Sequence, residues 1–197
     1  MLCGDRVRLR AIERADIPTF VRWLNDPEVR QHLLMYEPLS LAKEERWFEA
    51  HLARTDEIIL AIEAWIEGAW THIGNTGLHR IEWKHRGAVL GIVLGEKGHW
   101  GKGYGTEAIR LMLKFAFHEL GLHRVELEVF AGNVRARRCY EKAGFRAEGT
   151  RRHAFYRDGR WIDVHVMSVL EPEFAEGRDL TAENAENTRE ADLGFKP

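Results

Sequence analysis

The sequence predicts an α+β fold in which one central mixed sheet, mostly antiparallel, is flanked by helices. Three observations predict it. Hydrophobic residues alternate with period two or recur at helical spacing in the order strand, helix, helix, three strands, helix, strand, helix, two strands. The three consecutive strands are separated by turns short enough for an antiparallel meander. A chain of 197 residues, 45% hydrophobic and 30% charged, has the balance of a globular domain that buries a real core.

In the first strand Val7 and Leu9 alternate with Arg6, Arg8 and Arg10, so one face is apolar and the other cationic. Asp16 stands as the N-cap of a helix whose Ile17, Phe20, Val21 and Leu24 share a face, and Asn25-Asp26-Pro27 ends it. A short helical piece over 28–34 runs into an aperiodic connection, 30–39, containing Tyr36, Glu37 and Pro38. Ser40 is the expected N-cap of the next helix, which reaches about residue 51 with Leu41, Trp47, Phe48 and Leu52 as its apolar side.

The meander follows as strands over 57–65, 70–82 and 88–95, turned at Glu67-Gly68 and over 84–87. A helix over 104–120 sets Ala108, Leu111, Met112 and Phe115 on one stripe and stops at Gly121, where a left-handed residue ends the helix. In the strand 124–130, Val125, Leu127 and Val129 alternate with Glu126, Glu128 and Phe130, which puts carboxylates on its second face. A helix over 134–143 ends on Gly144, and Phe145 opens a last hairpin whose strands, to about Tyr156 and over 160–170, turn at Asp158-Gly159. The domain is expected to occupy 1–172. From 173 to 197 the composition turns acidic and polar, the character of a tail outside the core.

A net charge of −2 argues against nucleic acid or a membrane surface as partner. No apolar run approaches the ~20 residues of a membrane span, and no N-terminal apolar segment is followed by a cleavage site, so a cytoplasmic protein is expected. Cys3 and Cys139 lie far apart and are expected as free thiols. The ten histidines are scattered without i, i+4 or His-x-His spacing, and no metal site is expected.

The densest signal is Gly98-His99-Trp100-Gly101-Lys102-Gly103-Tyr104-Gly105-Thr106, between a strand and a helix. Glycines at a helix start let an anion approach unpaired backbone N–H groups without Cβ clashes, so the turn is suited to phosphate. A dinucleotide fingerprint beginning at Gly101 needs glycine where Thr106 stands. A Walker loop ending Gly101-Lys102 needs glycine where Glu96 stands and Ser or Thr at Gly103. The spacing instead resembles the pyrophosphate loop of the GCN5-related N-acetyltransferases (GNAT): Gln or Arg, two residues, Gly, one residue, Gly or Ala. Gly103 and Gly105 match the small positions, and Trp100 occupies the Gln/Arg position. The string from Trp100 to Ala108 looks in particular like the ribosomal-protein and polyamine acetylase branch.

A second stretch carries the same resemblance, with Asn133, Ala136, Tyr140 and Gly144-Phe145 at the family's spacing. By that resemblance Tyr140 points at the coenzyme sulfur as general acid, and Asn133 is a pantetheine-side ligand. Leu127-Glu128-Val129 looks like the Leu-Glu-Val of ribosomal-protein N-terminal acetylases, whose glutamate is the base, directly or through water. Pairing of Glu128 with an arginine of the last hairpin is the competing reading. The family's strand before the loop, here Gly91-Ile92-Val93-Leu94, splays from the next strand and offers its backbone to pantetheine.

The resemblance covers roughly 5–171 and implies acetyl-CoA as co-substrate, held by Ile92, Val93, Leu94, Trp100, Gly101, Lys102, Gly103, Tyr104, Gly105, Thr106 and Asn133. The coenzyme's adenosine-end phosphate accounts for the basic run Arg135, Arg137 and Arg138, with Arg151 and Arg152, as well as nucleic acid does. The expected function is acetyl transfer to a primary amine by direct attack. That reaction needs a held thioester, a neutral amine and a proton for the departing thiolate, with no covalent nucleophile. The alternative is a non-catalytic acyl-CoA-binding or sensing module, whose sign would be loss of Tyr140. The acceptor is a small-molecule amine or a protein N-terminus, held by the 30–39 connection and the last hairpin. Trp70, Trp83 and Trp161 are expected along that groove and Trp23, Trp47 and Trp65 in the core. A homodimer is the assembly to test for.

Overall fold

The structure, a computed structural model, describes residues 1–174. Strands β1 (Leu2–Cys3) and β2 (Val7–Ala11) lead through one tight turn, Arg14–Asp16, into helices α1 (Ile17–Asn25), α2 (Pro27–Arg30) and α3 (Leu41–Leu52). The meander is β3 (Ile58–Ile66), β4 (Ala69–Glu82) and β5 (Gly87–Leu94). Then come α4 (Tyr104–Lys114), β6 (Arg124–Phe130), α5 (Val134–Ala143), β7 (Arg146–Arg157) and β8 (Arg160–Leu170). One sheet orders them β1-β2-β3-β4-β5-β6-β8-β7, antiparallel throughout except for β5 beside β6. This is the mixed, mostly antiparallel sheet that the element order predicts.

Successive strand residues face opposite sides, and Ala61 and Ile62 mark the two faces. On one side Ile109, Met112 and Leu113 of α4 pack on Leu9, Ile62, Leu78, Leu127 and Met167. On the other, Phe20 and Trp23 of α1 and Phe48 of α3 enclose a smaller core over Ala61. The smaller core also positions the glycine turn. A Cβ on Gly95 would lie 2.0 Å from the Trp23 ring, so the residue after β5 must be glycine for α1 to seat. The Trp23 indole then donates to Glu96 at 2.8 Å, tying α1 to the entrance of the turn.

Several boundaries and faces differ from expectation, each for a local reason. Asp16 does not cap α1 with its side chain; its carboxylate is held by Arg10 at 2.7 and 2.9 Å and accepts the Glu13 N–H at 2.8 Å, closing the preceding turn. Burial pushes that carboxyl up, and the hydrogen bonds from Arg10 and Glu13 outweigh it, holding it below the usual range. In α3 the buried pair is Glu44 and Phe48, one turn apart, while Leu41 and Leu52 are exposed, because α1 covers only a narrow stripe. Ser40 caps that helix as expected, accepting the Lys43 N–H at 3.2 Å.

Helix α4 is regular only to Lys114; the next turn widens so that the Leu120 N–H reaches the Phe115 carbonyl at 3.1 Å before Gly121 turns left-handed. Trp65 is not in the core: it is 49% exposed, edge-on to Trp70, over which Arg8 stacks at 4.4 Å. At the boundary expected between 172 and 173 the chain stays docked, with Glu173 accepting the Leu170 N–H at 3.0 Å and Phe174 lying 5.5 Å from Phe117. The rest of the expected acidic tail falls outside the described residues.

Candidate active site

The parallel pair β5 and β6 touches over only three residues, Gly87 to Val89 against Arg124 to Glu126. Beyond Val89, β5 continues to Leu94 paired with β4 alone, and β6 continues to Phe130 paired with β8 alone. Among the described residues the facing edge over 90–94 therefore lacks a strand partner, the splay that the family resemblance implies. Main-chain polar groups left on such an edge are sites for an extended ligand.

The gap opens into a cleft of about 550 Å³. Its walls include Ile92, Val93 and Leu94 of β5, Glu128 and Val129 of β6, Trp100, Gly101, Gly103, Gly105 and Thr106 of the glycine turn, and Asn133 and Tyr140 at α5. Lys102 and Tyr104 are not part of that lining. The Lys102 carbonyl accepts from Arg6 at 3.3 Å, and the Tyr104 ring lies under the same guanidinium at 5.3 Å, so both belong to the outer wall of the turn. None of Trp70, Trp83 and Trp161 lines the cleft either; Trp83 and Trp161 are exposed elsewhere.

Gly103, at φ 90°, is the N-cap of α4 and has no side chain to occupy the first N–H groups of the helix. An uncapped helix start opening on a cleft is an anion site. The turn is braced from several directions. The Trp100 indole donates to the Leu94 carbonyl at 2.8 Å, and the Arg135 guanidinium sits 3.9 Å over the Trp100 ring. Outside, Glu107 accepts the N–H groups of Arg6 and Val7 at 2.7 and 3.0 Å, locking α4 to β2.

Tyr140 is 8% exposed, and its ring meets Phe145 edge-on at 6.0 Å. Burial pushes its hydroxyl above the usual tyrosine range, and the neighbouring Cys139 adds to the shift, so the group is protonated at neutral pH. Glu128 reaches the cleft while ion-paired with Arg151 of β7, so the pairing with a last-hairpin arginine is present together with the cleft position. Asn133 uses its Oδ1 to accept the Ala136 N–H at 3.1 Å, capping α5.

The opposite end of the cleft coincides in part with the 30–39 connection that the sequence offered for the acceptor. It is formed by Glu28, Val29, His32 and Leu33, and their connection is held by a residue distant in sequence. Arg157 donates to the carbonyls of Arg30, Gln31, Leu33 and Met35 at 3.1, 2.5, 2.6 and 2.7 Å. Those carbonyls turn inward on one guanidinium, which is why α2 stops at Arg30 instead of running to Leu34. No local signal announces this clamp. The lining by Arg138, Cys139 and Lys142, by contrast, was available from the helical spacing that follows Asn133 and Arg135.

Fold and cleft together define a class, and comparison with known proteins agrees: residues 6–146 match the family described as an acetyltransferase (GNAT) domain, and the chain belongs to that family. It is 30% identical over 172 residues to the spermidine N(1)-acetyltransferase of Vibrio cholerae, across 87% of this chain and 96% of that protein. To the uncharacterized N-acetyltransferase p20 of Bacillus licheniformis it is 29% identical over 189 residues, across 88% and 98%. The crystal structure of the Vibrio cholerae spermidine N-acetyltransferase with CoA and spermine matches at TM-score 0.81 and 28% identity, over 87% of this chain and 99% of that one. A dodecameric structure of the same Vibrio cholerae enzyme matches at TM-score 0.74 and 28% identity, over 87% and 97%. The chain is an acetyl-CoA-dependent N-acetyltransferase.

Proposed function

We propose that this enzyme acetylates a primary amine by direct attack, with Tyr140 as general acid and Glu128 as base. One observation carries the reading: Tyr140 and Glu128 line a single cleft together with an unpaired strand edge and an open helix start. Acetyl-CoA supplies the activated acyl group as a thioester. The backbone of Ile92, Val93 and Leu94 binds the pantetheine amides as it would bind an added strand. The first N–H groups of α4, with Gly101 and Gly103 beside them, take the diphosphate. Asn133, its oxygen spent on the helix cap, keeps its Nδ2 hydrogens to donate to the pantetheine.

Tyr140 holds its proton in a buried setting and delivers it to the departing sulfur. Glu128 receives the proton of the amine, directly or through water, and Arg151 fixes the orientation of its carboxylate. The test is release of free thiol when the protein is mixed with acetyl-CoA and a panel of primary amines. Amine-dependent release is the expected result. Tight binding of acetyl-CoA with no amine-dependent thiol would describe a binding or sensing module instead. The dodecameric relative supports self-association of this chain as well, which sedimentation tests.

A further inference from the structure

We propose that the acceptor is a monoamine, a single ammonium on an uncharged and largely apolar body, and that polyamines are poor substrates of this enzyme. The inference rests on the reading of the cleft as an amine acetylation site and concerns the wall that meets the acceptor. A polyamine keeps at least one ammonium after the attacking nitrogen has lost its proton. Holding the remaining charge in a partly desolvated cleft requires a carboxylate free to pair with it.

Among the described residues two carboxylates line the cleft, and each already has a cationic partner. Glu128 is paired with Arg151. Glu28, 57% exposed, shares the Lys97 ammonium at 3.0 Å with Asp26 at 2.9 Å, and the negative charge left over faces solvent, which screens it. Between them the wall is apolar, made by Val29, Leu33 and Val129, of which the two valines are 5% exposed. The cations nearby are not balanced in the same way. Arg135 is stacked on the Trp100 ring, and Arg157 is surrounded by backbone carbonyls and the rings of Phe130 and Phe155 at 5.6 and 5.3 Å.

His32, on the same wall, reports the resulting potential. Burial pushes its pKa down, and the charges of Arg135 and Arg157 push it further in the same direction, with no carboxylate among the described residues acting against them. A site at which an imidazole resists a proton also resists a second ammonium. A neutral hydrocarbon or peptide body meets no such penalty and covers the apolar wall.

The experiment compares kcat/KM, by thiol release at fixed acetyl-CoA, for spermidine, phenethylamine and a short peptide with uncharged side chains and a free N-terminus. At least one of the two monoamines is expected to exceed spermidine tenfold or more. Leu33→Glu, which adds an uncompensated carboxylate to the wall, is expected to raise the ratio of spermidine to monoamine at least fivefold. Spermidine equal to or better than both monoamines overturns the inference and leaves amine acetylation standing. An unchanged ratio in Leu33→Glu overturns charge as the discriminator. No thiol with any amine brings down the reading of the site itself, and this inference with it.

Discussion

The indole N–H of Trp100 donates to the carbonyl oxygen of Leu94 at 2.8 Å, so the tryptophan of the glycine turn is tied back to the last residue of β5. Trp100 stands where the family pattern has Gln or Arg, and in this chain its polar atom is spent on the protein. Arg135 on the ring face brings a guanidinium to the same place. Trp100→Phe keeps most of the ring contact and deletes one hydrogen bond, a loss of about 1 kcal/mol. Acetyl-CoA binding is expected to weaken about fivefold by calorimetry, with the far-UV spectrum unchanged. Unaltered affinity would show that the brace does not shape the binding turn.

Gly103→Val places a β-branched residue at φ 90°, with its Cβ 3.2 Å from the Arg6 guanidinium, at the start of α4. The dissociation constant for acetyl-CoA should rise at least tenfold, about 1.4 kcal/mol, and the melting temperature should fall as well. If the folded variant binds with the parent's affinity, the diphosphate is held elsewhere.

Tyr140→Phe retains the contact with Phe145 and removes only the hydroxyl. Turnover should fall within the ~10²–10⁴-fold range of general acid catalysis, toward its lower end because a thiolate is already a fair leaving group, while acetyl-CoA affinity changes little. Turnover within about twofold of the parent, measured where chemistry limits the rate, would remove Tyr140 from the mechanism.

Glu128→Gln keeps the shape of the side chain and deletes the charge that meets Arg151. Turnover should drop and its dependence on pH should steepen on the acid side, since the amine must then arrive neutral. A variant that reproduces the parent's rate and profile would leave Glu128 as a partner of Arg151 only.

Glu148, on β7, carries a second pH signature, one of stability. Its hydrogen bonds from Arg124 of β6, and then from Ser168 of β8, hold its carboxyl at about 2 against an ordinary 4.5. A pKa depressed by folding contributes stability that is fully present above about pH 4.5 and is lost as pH falls toward 2. The side chain is 41% exposed, so solvent screens the pair and the contribution is small. Melting temperatures of the parent should decline through that window, and those of Glu148→Gln should decline less; parallel curves would show the pair to be neutral.

The order of elements, the mixed sheet and the glycine turn were legible in the sequence because they depend on local chemistry. Alternation on β2 and β6, the helical stripe of α4, the cap at Ser40 and the glycines around 101–105 each act within a few residues of themselves. Asn133, Tyr140 and Glu128 were singled out by resemblance to the family's motifs, and all three line one cleft. What only the tertiary structure decided are the pairings made across the sheet. Asp16 was taken from its helix by Arg10, Trp65 was turned outward beside Trp70, and Tyr104 was drawn to the outer wall by Arg6. The cleft end formed by Val29, His32 and Leu33 depends on Arg157, more than 120 residues from the carbonyls it gathers. A guanidinium that satisfies several main-chain acceptors at once leaves no periodicity or motif in its neighbours, since it binds their backbone and ignores their side chains.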